Sequence, residues 1–145
     1  MDHTNKINGF NVRVYGICIK DKHILLLEEP FMGKELTKFP GGGLEFGEGT
    51  VDCLKREFEE ELNLNIKSAS PYYIQEDYVP TLAKNNLQIV LLYFLVEYEH
   101  WDSFQILDSK ITNVFWHDLS KDCPLVLPID QKVYEKLQKD FLQRQ

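Results

Sequence analysis

The sequence lacks the features that mark membrane-spanning, secreted and nucleic-acid-binding proteins. Its longest apolar run, Leu87 to Val96, is much shorter than the roughly 20 residues that cross a bilayer as a helix. Met1 to Lys6 has neither the charged nor the apolar region of a signal peptide. Three cysteines, Cys18, Cys53 and Cys123, form no C-x-x-C pair, so we expect reduced thiols in a cytoplasmic protein, with Cys18 and Cys53 in the core.

The sequence also lacks an excess of positive charge and histidines at the spacing of metal ligands. The formal net charge is −7, which argues against direct nucleic-acid binding unless metal ions mediate it. The four histidines show no ligand spacing, which argues against a zinc site: they are His3, His23, His100 and His117. With 145 residues, 17.0 kDa and 43% hydrophobic residues, and with no repeat or linker, residues 1–145 are expected to form one domain with a real core.

The order of apolar segments predicts strands, a helix, more strands and a final helix. The predicted elements are a strand Phe10–Lys20, a turn Lys20–Lys22, a strand His23–Glu28, a loop Glu29–Leu36, a short strand Thr37–Phe39, a helix Thr50–Leu62, a strand Ala69–Tyr78, a polar connection Pro80–Asn86, a central buried strand Leu87–Tyr98, a strand Asn113–Trp116, and an amphipathic helix Pro128–Arg144. This order favours an α/β fold in which a mixed sheet lies between helices.

The helix Thr50–Leu62 contains no glycine or proline and carries two distinct faces. Thr50 is the predicted N-cap, and Asp52 places a negative charge in the first turn, where the helix dipole favours it. One apolar stripe is predicted for the core, formed by Val51, Leu54, Phe58 and Leu62. A neighbouring face gathers three carboxylates, those of Glu57, Glu60 and Glu61.

Three like charges on one helix face repel one another unless a cation lies between them. Mg²⁺ prefers oxygen ligands and commonly binds a few carboxylates together with substrate phosphates and water. A Glu-rich helix is by itself usually only a solvated surface. Here a glycine-rich segment, Gly41-Gly42-Gly43, precedes the helix and permits a tight backbone path whose amides or carbonyls face a metal or a phosphate.

Together these residues form a spaced pattern. Gly42 is followed after five residues by Glu48, and after seven more by Arg56-Glu57-Phe58-Glu59-Glu60-Glu61-Leu62-Asn63-Leu64. This resembles the Nudix box, G-x5-E-x7-R-E-U-x-E-E-x-G-U, with U aliphatic or aromatic. Pro40 to Glu48 also resembles the family's PGG-x-x-E-x-G-E loop. Six of the seven fixed positions match, and Asn63 replaces the last glycine. Asn tolerates a left-handed backbone almost as well as Gly does, so the helix end is expected to be kept.

The resemblance implies a Nudix-type α/β/α sandwich and a Mg²⁺-dependent hydrolase, with Mn²⁺ as a substitute ion. Its substrate would be a small nucleotide, namely a nucleoside diphosphate linked to another group, such as a nucleoside triphosphate or a nucleotide sugar. By resemblance, the metal ligands are Glu57, Glu60 and Glu61 with the carbonyl of Gly42, and the catalytic residues are Glu57, Glu60 and Arg56. Glu57 is alternatively a group that deprotonates or orients the attacking water. Arg56 is interpreted as an orienter of carboxylates, and Glu48 either pairs with Arg56 or touches a metal.

The sequence leaves the general base, the substrate and the oligomeric state open. Candidates for the base are Glu76, Asp77, Glu97 and Asp108. Thr37 stands where many members of the family have a Trp, and the aromatics that could stack on a base are Phe31, Tyr72, Tyr73 and Tyr78. A non-catalytic Nudix-like nucleotide-binding or regulatory module is the alternative, although such a module is expected to have lost one of its acids. A homodimer is compatible with the sequence, and no membrane partner is expected.

Overall fold

The computed structural model describes residues 6–79, 86–98 and 104–142 of the chain. It contains eight strands and two helices in these ranges. The strands are β1 (Gly9–Ile17), β2 (Ile19–Lys20), β3 (His23–Phe31), β4 (Lys34–Lys38), β5 (Gly41–Gly43), β6 (Ile66–Ile74), β7 (Leu87–Tyr98) and β8 (Asn113–Asp118); the helices are α1 (Thr50–Leu62) and α2 (Pro128–Phe141). Neither helix combines the length and the apolarity that a membrane span requires.

The first sheet is mixed and has the strand order β5-β1-β7-β6. β1 and β7 run parallel along their length, with Arg13 opposite Leu91 and Tyr15 opposite Tyr93. β5 and β6 flank this pair as antiparallel strands. β7 therefore has the central place that its long apolar run predicts, because the continuous run supplies apolar side chains to both faces.

The second sheet is antiparallel and is built around β3, which pairs with β2, β4 and β8. The predicted loop Glu29–Leu36 is wrong, because β3 and β4 form a hairpin through this segment. Met32 and Gly33 both have positive φ, 52° and 81°, which matches a two-residue turn whose twist suits a hairpin. The polar composition that suggested a loop belongs to β4, an outer strand whose charges discourage pairing with other chains.

Alternate residues of the strands separate the core into two layers, one under each helix. On one face Val14, Leu25 and Leu27 pack with Leu54 and Phe58 of α1. On the other face, buried strand residues pack against α2: the strand residues are Tyr15, Ile24, Leu26 and Tyr93, and the helix residues are Ile129, Val133 and Leu137. The helices thus cover opposite faces of the strands, as expected for an α/β/α sandwich.

Both ends of α1 are defined by backbone geometry. Gly49, and not Thr50 as predicted, is the N-cap residue, because Thr50 is already helical. The Asp52 carboxylate accepts a hydrogen bond from the Gly49 amide at 3.0 Å, which satisfies one of the free donors of the first turn. At the other end Asn63 has the left-handed conformation, φ 55° and ψ 37°, and the Leu64 amide donates to the Phe58 carbonyl at 3.2 Å. The prediction for Asn63 is confirmed.

The remaining element boundaries differ from the sequence predictions by a few residues. The predicted strand Ala69–Tyr78 is β6, which begins at Ile66 and ends at Ile74. The predicted strand Asn113–Trp116 is β8, which continues through His117 to Asp118 and is followed by a turn. Positions 80–85 of the predicted polar connection, and Arg144 at the predicted end of the last helix, lie outside the described residues. Cys18 and Cys53 are fully buried, as predicted.

We expect Asn63→Gly to leave stability nearly unchanged and Asn63→Val to lower the free energy of unfolding by about 1 kcal/mol or more. The reason is that a β-branched side chain clashes with the backbone at φ 55°. Denaturant midpoints of the two variants and the wild type measure the difference. Equal midpoints for Gly and Val would contradict a left-handed residue at this helix end.

Candidate active site

Gly41, the first residue of the glycine segment, lies against β1 at a distance that excludes a side chain. A Cβ atom on Gly41 would lie 2.1 Å from the Val14 carbonyl oxygen, and Gly41 has φ 144°. The Pro40 carbonyl accepts a hydrogen bond from the Gly16 amide at 2.8 Å. Because only glycine permits this approach, the loop that follows β5 is fixed relative to the sheet.

Gly42 makes room for the carboxylate of Glu57. A Cβ atom on Gly42 would lie 2.5–2.7 Å from the carboxyl atoms of Glu57. The Glu57 side chain, only 15% exposed, is therefore held directly against the glycine backbone. α1 brings its second turn to this point because Leu54 and Phe58, on its other side, are fully buried under the sheet.

Arg56 joins the acids to the glycine segment. It binds Glu48 through two hydrogen bonds, from Nε to Oε2 at 3.0 Å and from Nη2 to Oε1 at 2.7 Å. Nη1 donates to Glu57 at 2.9 Å and to Glu60 at 3.3 Å, and Nη2 donates to the Gly43 carbonyl at 2.9 Å. All donor groups of Arg56 are engaged, and the predicted pairing of Glu48 with Arg56 is confirmed; its role as an orienter of carboxylates stays a prediction.

These contacts favour the ionised form of the Glu48 carboxyl. The hydrogen bonds from Arg56, together with one from the Glu45 amide at 2.8 Å, lower the pKa of the Glu48 carboxyl to about 2. The same contacts raise the pKa of the Arg56 guanidinium. Both groups therefore remain charged near neutral pH, and the bidentate geometry makes the pair directional.

The three predicted metal-binding acids occupy different environments. Glu61 is 6% exposed and accepts a hydrogen bond from the Gly41 amide at 3.3 Å, so it lies beneath the glycine segment together with Glu57. Glu60 is 59% exposed and pairs with Arg56. Burial raises the pKa of the Glu61 carboxyl to about 8, and the charge of Glu57 adds to the rise, although Lys38 opposes it.

The donors around Gly41 and Gly42 are suited to a hard divalent cation. They are carboxylate and carbonyl oxygens, and a bound cation would favour the ionised form of the buried Glu61 carboxyl, whose pKa is raised by burial. Within residues 6–79, 86–98 and 104–142, no three His, Cys, Asp or Glu side chains already stand in the arrangement of a metal site. Arg56 engages Glu57 and Glu60 instead. The chemistry of the residues fits Mg²⁺, and the roles of Gly42, Glu57, Glu60 and Glu61 as ligands stay predictions.

The four candidate bases are dispersed. Asp77 is paired with Lys132 of α2, Glu97 on β7 accepts from Ser68 at 3.5 Å, and Asp108 accepts from the Lys110 amide at 2.9 Å. Glu76 follows β6. In the part of the chain that the structure describes, no hydrogen bond or ion pair joins any of them to the acids of α1.

The candidate stacking aromatics also divide. Tyr72 donates to Asp140 of α2 at 2.5 Å and packs on Phe141, so its contacts are structural. Tyr73 packs on Tyr93 in the layer facing α2. Tyr78 is 47% exposed, and Phe31 lies at the end of β3.

Sequence reasoning missed a set of polar residues on the α2 side of β1. Arg13 donates to the Tyr15 hydroxyl at 2.7 Å, and the buried Lys38 ammonium pairs with Glu29 at 3.0 Å and lies near the Tyr15 ring. A usable signal was the alternation in Asn11-Val12-Arg13-Val14-Tyr15, which places the polar side chains of β1 on one face.

Deeper in the same layer, the Tyr93 hydroxyl donates to Asp130 at the start of α2. Both side chains are almost fully buried, and burial raises the pKa of the Asp130 carboxyl. The bond satisfies a polar group that the core would otherwise leave unpaired. It fixes the first turn of α2 to β7.

We predict that Glu48→Gln lowers the free energy of unfolding near neutral pH and that this difference from the wild type vanishes between about pH 5 and about pH 2. A carboxyl whose pKa is lowered by folding stabilises the protein above its unfolded pKa, and the contribution is lost as pH falls through the folded value. Urea unfolding without divalent ions, repeated across this range, measures it. Glu59→Gln, an exposed neighbour on α1, is the control. A pH-independent difference for Glu48→Gln would contradict the ion pair.

Comparisons with known proteins agree with this geometry. The NUDIX domain family matches residues 9–137, whereas no curated protein sequence matches the chain. The structure is similar to a MutT NUDIX hydrolase of Burkholderia pseudomallei, with TM-score 0.74, 16% identity, and 90% and 98% of the two chains covered. It is also similar to a NUDIX hydrolase of Nitrosomonas europaea, with TM-score 0.73, 24% identity and 90% of each chain covered. A third similar structure is the NUDIX domain of Shewanella oneidensis NrtR complexed with ADP ribose, with TM-score 0.71, 14% identity, and 94% and 91% of the two chains covered.

The family match extends over most of the sequence and includes the glycine segment, α1 and all of its acids. The chain therefore belongs to the NUDIX family.

Proposed function

We propose that this protein is a Mg²⁺-dependent pyrophosphohydrolase that cleaves the diphosphate linkage of a nucleoside diphosphate joined to another group. The observation that carries the proposal is the placement of Glu57 and Glu61 directly beneath the backbone of Gly42 and Gly41. An arrangement that only needed a stable helix would not place a buried carboxylate beside a partly buried one. Family membership supports hydrolysis of nucleoside diphosphate derivatives.

The chemistry requires a water nucleophile and neutralisation of phosphate charge. A bound Mg²⁺ would supply both the activation of water and the neutralisation of phosphate charge. Glu57, Glu60 and Glu61, with the Gly42 carbonyl, would hold the ion. Arg56 keeps Glu57 and Glu60 aligned while its pairing with Glu48 fixes the guanidinium. The general base stays open among the four candidates.

The environment of the cysteines supports a reducing compartment such as the cytoplasm. Cys18, Cys53 and Cys123 are all free thiols in the structure. Disulfides are rare where glutathione and thioredoxin keep thiols reduced. We therefore propose that the protein acts on nucleotides inside the cell.

A substrate panel tests the proposal. Nucleoside triphosphates, ADP-ribose, nucleotide sugars and dinucleoside polyphosphates are each incubated with the protein in Mg²⁺ or in EDTA, and phosphate-containing products are measured. ADP-ribose belongs in the panel because the NrtR domain was crystallised with it. We expect turnover with Mg²⁺, rising from about pH 6 to about pH 8 as protons cease to compete for the ligands, and none in EDTA. Ligand binding without turnover of any compound would support the non-catalytic alternative.

Mg²⁺ and Mn²⁺ should also raise the melting temperature, because an ion that binds only the folded protein stabilises it. EDTA should abolish turnover reversibly without unfolding the chain, since the two core layers are formed by buried apolar side chains. Thermal scans with and without the ion measure this. Equal activity in Mg²⁺ and EDTA would refute the metal mechanism.

Replacing a predicted ligand should affect turnover far more than folding. We expect Glu60→Gln or Glu61→Gln to lower kcat at least ~100-fold, because each removes a charged ligand of the ion that supplies most of the catalysis. Stability in EDTA should be kept or increased for Glu61→Gln, since burial disfavours the charged carboxylate. Glu59→Gln is the matched control and should retain activity. Half of the wild-type rate in either ligand variant would count against the assignment.

The glycine contact provides an independent test. Gly42→Ala would place a Cβ atom 2.5 Å from the Glu57 carboxyl carbon, so Glu57 must move. A displacement of about 1 Å in a catalytic group lowers the rate on the order of 100-fold. Gly43→Ala is the control, because its Cβ would meet nothing closer than 3.8 Å. Steady-state kinetics of both variants measure the effect, and similar rates would show that the position of Glu57 is not critical.

A further inference from the structure

Arg13 lies beside the candidate site but on the opposite side of β1 from α1. Val14 points into the layer under α1, so the neighbouring Arg13 and Tyr15 point to the other face. Arg13 is paired with Gly43 in the β1–β5 register. A Cβ atom on Gly43 would lie 3.8 Å from Arg13 Nη1. The guanidinium thus extends along the bare backbone of β5, one residue from the glycine that accommodates Glu57.

Most of the hydrogen-bonding capacity of Arg13 is unused. Its Nε donates to the Tyr15 hydroxyl at 2.7 Å, and its guanidinium carbon lies 5.6 Å from the centre of the Tyr15 ring. Within the three described ranges, Nη1 and Nη2 make no hydrogen bond or ion pair. A guanidinium has five donors. Arg56, which also contacts Gly43, uses its donors on three carboxylates and one carbonyl.

Tyr15 fixes the direction in which the free donors point. The tyrosine is 8% exposed and packs against Tyr93, so its hydroxyl is a rigid acceptor. Arg13 is itself only partly exposed, and a partly desolvated cation is costly unless an anion pairs with it. The nearby Lys38 does not share this property, because Glu29 already neutralises it at 3.0 Å.

We propose that Arg13 is a substrate-binding residue whose Nη1 and Nη2 donate to phosphate oxygens of the nucleoside diphosphate. This inference rests on the proposed function, because it assumes that a diphosphate reaches the glycine segment. Phosphate suits the geometry, since the planar fork of a guanidinium matches two oxygens of one phosphate. A chain with net charge −7 also needs a local cation to hold a polyanion at its surface.

The alternative role for Arg13 is structural, as a counter-charge for Glu57 and Glu29. Burial lowers the pKa of the Arg13 guanidinium, but the contact with Tyr15 and the charges of Glu57 and Glu29 outweigh this effect, so the pKa is raised. The two roles predict different measurements. A counter-charge affects stability in the absence of any ligand. A phosphate-binding residue affects the affinity for a diphosphate.

The test is calorimetric titration with methylenediphosphonate, a diphosphate analogue that cannot be hydrolysed, in Mg²⁺ and in EDTA. We expect Arg13→Gln to weaken binding in Mg²⁺ by about 10- to 100-fold, the value of a charge-assisted hydrogen bond or two. Arg13→Lys should give an intermediate loss, because it keeps the charge and loses the fork. Lys139→Gln, which removes one exposed positive charge from α2, is the control and should bind as the wild type does.

With a substrate found in the panel, Arg13→Gln should raise KM and change kcat by less than about threefold, as expected for loss of uniform binding.

Two results would overturn the inference. One is an Arg13→Gln variant that binds the diphosphonate within twofold of the wild-type affinity, and the other is a wild-type protein that does not bind the diphosphonate. If Arg13→Gln does not fold, Tyr15→Phe removes only the acceptor and should weaken binding several-fold; unchanged affinity in that variant would equally overturn it. Binding that depends on Arg13, in a protein that hydrolyses no compound of the panel, would sustain the inference and reject the proposed hydrolysis.

Discussion

The rest of the site depends on three glycines whose lack of a side chain lets neighbouring atoms approach their backbone closely. Gly16 admits the Phe58 ring, Gly41 approaches the Val14 carbonyl, and Gly42 admits the Glu57 carboxylate. Each contact would be shorter than 3.0 Å if a Cβ atom were present, so the sheet and α1 could not meet at this distance with any other residue. The position of the acids is therefore a consequence of helix–sheet packing, and the same burial that stabilises the fold brings the carboxylates to the backbone of β5.

Electrostatics explains why this packing does not destabilise α1. Glu57, Glu60 and Glu61 would repel one another on an isolated helix, yet Arg56 binds two of them and also the carboxylate of Glu48 from the preceding loop. Glu61 instead accepts a hydrogen bond from the Gly41 amide, and the charge of Lys38 favours its ionised form. The site thus divides its negative charge between a partly exposed cluster around Arg56 and a buried carboxylate, and a cation at Gly42 would be close to both.

Much of the fold and the centre of the site followed from the sequence because they depend on local patterns. The apolar stripe of α1, the long run of β7 and the left-handed Asn63 are each set by residues within one or two turns, and the structure confirms them. The β3–β4 hairpin was missed because its turn, Met32-Gly33, has only one glycine and its second strand is polar. Arg13, Tyr15 and Lys38 were missed for another reason. The alternation along β1 places Arg13 and Tyr15 on one face, but the pairing of β1 with β5 and the approach of Lys38 to Tyr15 are relations between distant segments that no local pattern contains.

The C-terminal end of α1 is attached to the segment 104–108 by main-chain atoms. The Leu107 amide donates to the Glu61 carbonyl at 2.9 Å, and the Gln105 amide donates to the Leu62 carbonyl at 2.9 Å. Neither bond depends on the identity of a side chain, so any residue except proline at 105 and 107 could maintain them. Mutations in this segment could therefore alter the exposed side chains Ile106 and Leu107 while the acid-bearing helix keeps its place. Such a surface is free to diverge in sequence without moving the carboxylates that α1 presents to the glycine segment.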